Sequence, residues 1–138
     1  MEFNLFTLIF LLAILASVIV LLWLNFRQDR AIKSTFNAVP KGFEDAISLE
    51  DHQKAGRYTQ AKLLVSHFEI IFSTIVLLIW TIGGGINLLD MFWHNNITES
   101  PLVLGTAFIV SIMLIASLID LPFSIYRNFI LEQKFGFN

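Results

Sequence analysis

The sequence contains no cysteine, and charged residues make up only 14% of its 138 positions. Without cysteine there is no disulfide, no thiol nucleophile and no thiolate ligand for a metal. Ordinary soluble domains are about 25% charged. A soluble domain of this size buries only about two-thirds of its surface, so it needs more polar and charged residues than this to cover the rest. The net charge of −2 provides no basic field that would attract nucleic acid. These shortages exclude most soluble folds, and we expect no nucleic-acid partner.

Long apolar runs dominate what is present. Hydrophobic residues form 56% of the chain, and its mean hydropathy is +0.72. Uncharged runs cover residues 3–26, 70–89 and 102–119, each close to the ~20 residues that a helix needs to cross a bilayer. No basic residue precedes the first run, so it does not resemble a signal peptide. The runs predict an all-α integral membrane protein with three transmembrane helices, at about residues 3–26, 66–89 and 102–122.

All nine lysines and arginines lie on one side of these three predicted spans. Seven fall within residues 27–62, two (Arg127 and Lys134) follow the third span, and none lies at the N-terminus or within residues 90–100. Basic residues are enriched in cytoplasmic loops. The distribution therefore predicts a multi-pass protein, expected in a bacterial inner membrane, with the loop 27–62 and the C-terminus in the cytoplasm and the N-terminus outside.

The first two helices are expected to extend from the membrane into the cytoplasm. No glycine or proline interrupts residues 25–39, so the first helix should continue until Pro40 stops it. Ser48 is a good N-cap for the next helix. Between residues 48 and 82 there is no proline and a single glycine, which predicts one continuous helix that begins in the cytoplasm and ends as the second span.

The ends of the second and third spans carry residues that disfavour helix. Gly83, Gly84 and Gly85 predict either a hinge or close helix contact, or a frayed and closely packed helix end. The following residues, 90–100, are expected to form a short loop. Pro122 is expected to kink or end the third span.

Few side chains offer chemistry. Glu69 and Asp120 stand at the cytoplasmic ends of the second and third spans. Ionisable groups within spans are costly and often functional. They are candidates to line a polar cavity, or to pair with Arg57, Lys62 or Arg127. A purely structural role at the membrane interface is the simpler alternative, because side chains at span ends reach water easily.

The three histidines do not form a zinc pattern. His52, His67 and His94 are at least fifteen residues apart, and the predicted topology places His94 across the membrane from the other two. A catalytic zinc site needs about three protein ligands, often including an HExxH motif, and this motif is absent. Asn96 begins a glycosylation sequon on the non-cytoplasmic side. We therefore predict no catalytic, metal-binding or cofactor-binding residue in this chain, and no cofactor.

Two stretches nevertheless resemble a known family. The first stretch is SLEDHQKAGRYTQAK together with the glycine-rich WTIGGGINLLD, and the second is the tail LPFSIYRNFILEQKFGFN. Both stretches are similar to the N-terminal membrane domain of the CAAX prenyl proteases, which are zinc endopeptidases also called a-factor-converting enzymes. The resemblance extends from about Arg27 to Asn138. The tail matches the family pattern LPF-x-x-Y-x-x-F-x-x-E-x-x-FGFN at Leu121, Pro122, Phe123, Tyr126, Phe129, Glu132, Phe135, Gly136, Phe137 and Asn138.

The resemblance implies a longer protein in which further spans form a helical chamber around a zinc ion. Such enzymes cut peptide bonds near a prenylated C-terminus, and in bacterial relatives the implied role is turnover of membrane proteins. The family's HExxH motif and its third zinc ligand, a downstream Glu, have no counterpart in residues 1–138. These residues are thus expected to be an N-terminal transmembrane domain that is inactive alone, with zinc only in the full-length parent. The implied partners are the bilayer, the catalytic half and a peptide or membrane-protein substrate.

Two other functions remain open at this stage. The chain could be a complete small membrane protein that binds a partner or acts as an assembly factor. It could also be a small transporter subunit that oligomerises around Glu69 and Asp120. A downstream reading frame with HExxH favours the protease, whereas ion flux that is lost on Glu69→Gln favours the transporter. In the protease, substitutions of Tyr126, Arg127 or Glu132 are expected to impair proteolysis without removing zinc.

Overall fold

The computed structural model describes residues 4–96 and 100–136, and the part of the chain that it describes is helical with no strand. Three helical stretches, Leu5–Thr35, Leu49–Thr81 and Pro101–Phe135, are long and apolar enough to cross a membrane. The predicted class, an all-α integral membrane protein with three transmembrane helices, is confirmed. The elements in chain order are α1 (Leu5–Thr35), α2 (Leu49–Thr81), α3 (Gly85–Asn96), α4 (Pro101–Ile125), a π-helical segment (Tyr126–Leu131) and α5 (Glu132–Phe135).

The first two helices form a long antiparallel hairpin. The Asn4 side chain caps α1 by accepting a hydrogen bond from the Thr7 N–H at 2.9 Å, and Ser48 caps α2 by accepting from the Asp51 N–H at 3.1 Å. With 31 and 33 residues, the helices are about 46 and 50 Å long. Both exceed the ~30 Å hydrocarbon layer. They therefore extend beyond it at the ends that carry their basic residues, although α1 ends at Thr35, before the predicted position.

The glycine run forms a turn and divides the predicted second span. Helix α2 ends at Thr81, and residues 85–89 already belong to α3. Gly84 has φ +84°, a left-handed backbone conformation that favours glycine. A Cβ on Gly83 would lie 2.6 Å from the Ile79 carbonyl oxygen, so this position also requires glycine.

Helix α3 also replaces most of the loop that was expected at residues 90–100. The helix continues to Asn96, and the Trp93 indole N–H donates to Ser111 Oγ at 3.0 Å, which attaches α3 to α4. This long-range contact stabilises a helix that the local sequence did not indicate. The remainder of the predicted Asn96 sequon, residues 97 and 98, lies outside the described residues.

The third helix does not end at Pro122. Helix α4 continues through Pro122 to Ile125, and a π-helical segment follows at once. Because proline has no N–H, it removes one helical hydrogen bond. The chain adapts four residues later, where the Tyr126 N–H lies within reach of both the Phe123 and the Pro122 carbonyl oxygens. A π-turn adds a residue to the helical turn and so changes the direction in which the following side chains project.

Candidate functional site

Helix α2 is the central element, and the functional side chains lie along two of its faces. Helix α1 packs on one face and is antiparallel to it. The end of α4 and the C-terminal segment, defined here as residues 126–136, pack on another face and are also antiparallel to α2. The charged ends of all three stretches therefore lie together.

An ion pair joins α2 to the C-terminal segment. Glu69, at the start of the apolar part of α2, accepts a hydrogen bond from the Arg127 guanidinium. The two side chains are 27% and 36% exposed, so the pair is largely shielded by protein. Among the partners considered for Glu69, the structure selects Arg127. The π-turn at Tyr126–Leu131 contains Arg127 and directs it towards α2.

Apolar contacts complete the docking of the C-terminal segment. Leu131 is only 2% exposed and is the most buried side chain among the described residues. The Tyr58 and Phe135 rings meet edge to face with centroids 5.6 Å apart, and the Phe72 and Phe123 rings are 5.4 Å apart. Positions of the resemblance pattern, including Phe123 and Phe135, thus contact α2 directly. The pattern's final residues, Phe137 and Asn138, lie outside the described residues.

Polar contacts also join α1 to α2. The Asn25 amide donates to Ser66 Oγ at 3.1 Å, and the Gln60 amide donates to the Asp29 carboxylate at 3.2 Å. Asp29 follows the charge-free run of α1, and its hydrogen bond from Lys33 at 2.6 Å lowers its pKa below the usual 3.8. These contacts fix the register of the hairpin where both helices leave the predicted membrane layer.

The three histidines serve separate local contacts. His52 Nε2 lies 2.9 Å from the Thr35 carbonyl oxygen at the end of α1. His67 Nδ1 lies 2.6 Å from the Leu63 carbonyl oxygen, and its ring packs on Phe26. His94 lies beside Asp90 on α3.

Across residues 4–96 and 100–136, no three His, Asp or Glu side chains gather in a way that could hold a metal ion. The buried His67 Nε2 has no partner, but one free ring nitrogen is not a zinc site. The residues described here therefore do not fit the family's zinc. What their arrangement can do is fix the positions of helices.

Asp120 lies apart from Glu69. The structure places it at one end of a slot of about 320 Å³ between α2 and α4, whose other lining residues are mostly apolar. The two carboxylates predicted as candidates thus have different surroundings: Glu69 is paired, whereas Asp120 is exposed in the slot.

Three parts of this site were not predicted from the sequence. Two of them, the Asn25–Ser66 and Asp29–Gln60 contacts, were indicated by the spacing of Asn25 and Asp29 in the sequence. These polar residues are one helical turn apart and therefore share a helix face. The burial of Leu131 had no such signal, because it depends on the geometry of the π-helical segment that contains it.

Comparison with known proteins identifies a family. A family model described as "CAAX prenyl protease N-terminal, five membrane helices" matches residues 28–138. CAAX prenyl protease 1 homologues of Dictyostelium discoideum and Mus musculus are 29% and 28% identical to the chain, over 84% and 94% of its length. CAAX prenyl protease 1 of Saccharomyces cerevisiae is 28% identical over 84%.

The chain spans only 27–29% of the length of these three relatives. No solved structure matches it. The family match covers most of the chain and includes α2, the C-terminal segment and the contacts between them. This protein is a multi-pass integral membrane protein that belongs to the CAAX prenyl protease N-terminal family.

Proposed function

We propose that this chain is the non-catalytic membrane part of a CAAX-type zinc metalloendopeptidase, which anchors the enzyme and forms part of the helical chamber around its active site. One observation carries the proposal: the C-terminal segment is held on α2 by the Glu69–Arg127 pair and by the buried Leu131. This docking gives the segment a fixed direction. A fixed support is what a catalytic half needs if its reacting groups are to be held within a fraction of an ångström.

The zinc ion would be held by side chains outside this chain, and it would polarise the peptide carbonyl and activate a water molecule. No step of the reaction is assigned to residues described here. Their proposed contribution is to shape the chamber wall and to orient the catalytic half towards its substrate, a prenylated peptide or a membrane protein. The family membership and the three long apolar helices support this role.

Metal analysis and a cleavage assay test the proposal on two proteins, the purified 138-residue chain and the full-length parent. The parent should hold about one zinc ion and should cut a farnesylated peptide in a chelator-sensitive manner. The chain alone should do neither. One equivalent of zinc on the chain, or an inactive parent with its zinc in place, would contradict the proposal.

The membrane orientation is a separate prediction. Because all nine basic residues lie on one side of the spans, we propose that residues 27–62 and 121–138 face the cytoplasm. The proposed location is a bacterial inner membrane. The chain has no cysteine, so single cysteines at Ser34 and Asn96 report on the two sides. Both positions are exposed. An impermeant thiol reagent on intact cells should label position 96 and not 34, and the reverse pattern would refute this orientation.

A further inference from the structure

The slot between α2 and α4 is open on one side and contains a carboxylate at one end. Phe72 and Phe123 bring the two helices together at that end, and α3 joins them at the other. Between these contacts the lining comes from residues such as Trp80, Ile112 and Ala116, with Asp120 as the only ionisable group. The volume is about 320 Å³, and the lining is mostly apolar. In a bilayer, an open apolar slot of this kind can be covered by another membrane helix or by lipid tails.

Asp120 has no ion pair or hydrogen bond with any residue that the structure describes. It lies 19 residues after Pro101, which is about 28 Å along the helix and hence close to the boundary of the hydrocarbon layer. A carboxylate at this boundary can reach water, and it can also attract a basic side chain that lies at the same depth. The nearest basic residue in sequence, Arg127, already pairs with Glu69.

We propose that the slot receives a membrane helix from the remainder of the full-length protein, and that a Lys or Arg on this helix pairs with Asp120. This inference rests on the proposed function. Apolar side chains of the incoming helix match the apolar lining, and a basic side chain matches the carboxylate. The aliphatic stem of a Lys or Arg can lie along the slot while its charged end reaches Asp120. The carboxylate disfavours an anionic phospholipid, whose net charge has the same sign.

The size of the relatives agrees with such an occupant. The chain covers only 27–29% of the relatives described above. The family's N-terminal region has five membrane helices, whereas three helices among the described residues are long and apolar enough to span a membrane. Under the proposed function, additional membrane helices of the parent pack against these three. The slot is an open surface with both an apolar lining and a charge that can select one helix and its depth.

Site-specific photo-crosslinking of the full-length protein in membranes tests the inference. A benzophenone amino acid replaces Ala116, which lines the slot one turn before Asp120. The matched control replaces Leu118, which is 66% exposed and lies outside the slot. The probe at 116 should cross-link within the same polypeptide, to an apolar segment with a Lys or Arg within one helical turn of the cross-linked residue. The probe at 118 should give no protein cross-link.

Charge variants then test the ion pair. Asp120→Asn keeps the size of the side chain and Asp120→Lys reverses its charge. Both substitutions should lower the yield of the cross-link from position 116, and Asp120→Lys should lower it by about tenfold. Changing the mapped Lys or Arg to Asp should restore the yield in the Asp120→Lys protein. Cross-links to lipid, to a second copy or to another protein would overturn the inference, as would a yield that Asp120→Lys leaves unchanged. Because the readout is not proteolysis, a failed cleavage assay is distinguishable from a failed inference.

Discussion

Reversing the charge of Arg127 in the full-length protein should lower cleavage of a farnesylated peptide by about tenfold while leaving its zinc content unchanged. In Arg127→Glu, the new carboxylate faces Glu69, and the C-terminal segment loses its electrostatic attachment to α2. Breaking a fully buried pair costs about 3–5 kcal/mol. Because these side chains are 27% and 36% exposed, we expect about 1–2 kcal/mol, and each 1.4 kcal/mol is about tenfold.

A charge swap separates the loss of the pair from other effects of the substitution. The double variant Glu69→Arg with Arg127→Glu re-creates the pair in the opposite direction and should recover most of the activity. Lys134→Glu is the matched control, because it makes the same charge change in an exposed side chain of the same segment. It should stay within about twofold of the unmodified protein, as surface charges contribute little. Equal losses in Arg127→Glu and Lys134→Glu, or loss of zinc from Arg127→Glu, would show that the pair does not position the catalytic half.

The choice of Arg127 as the partner of Glu69 illustrates what could and what could not be predicted from the sequence. Sequence patterns predicted three long apolar helices, their extension beyond the bilayer and the Ser48 cap, because each depends on local composition. They also included Arg127 among three partners for Glu69. They could not choose among the three, because the choice depends on the direction in which the π-helical segment projects Arg127.

Two expectations left their alternatives open for a common physical reason. Pro122 and the run Gly83–Gly85 were interpreted from helix propensity alone, which describes the cost of a residue and not the way in which the chain adapts to it. At Pro122 the helix continues and widens to a π-turn, and at the glycines the chain turns and resumes as α3. Tertiary contacts such as Trp93–Ser111 decide these outcomes, and such contacts cannot be predicted from a single sequence.

Leu131→Ala should release the C-terminal segment from α2 more strongly than any other single truncation of an apolar side chain in this segment. Leu131 is 2% exposed and packs on α2, where it helps to line a cavity with Leu64 and Phe68. Truncation of a buried leucine typically costs about 2–5 kcal/mol. We expect about 2 kcal/mol here, since the neighbouring cavity lets the side chains partly collapse. Hydrogen exchange of the backbone amides of residues 126–135 should therefore accelerate by roughly 30-fold.

Leu118→Ala is the matched control for this truncation, because it removes the same atoms from a leucine that is 66% exposed on α4. In the membrane, Leu118 contacts lipid whether the C-terminal segment is docked or released. Its truncation should therefore change the hydrogen exchange of residues 126–135 by less than about twofold. Leu131 differs because the predicted topology places it beyond the hydrocarbon layer, where its unpacked state faces water and the hydrophobic effect applies in full. If both variants exchange at the same rate, the buried leucine does not fix the direction of the segment, and the Glu69–Arg127 pair and the ring contacts hold it on α2.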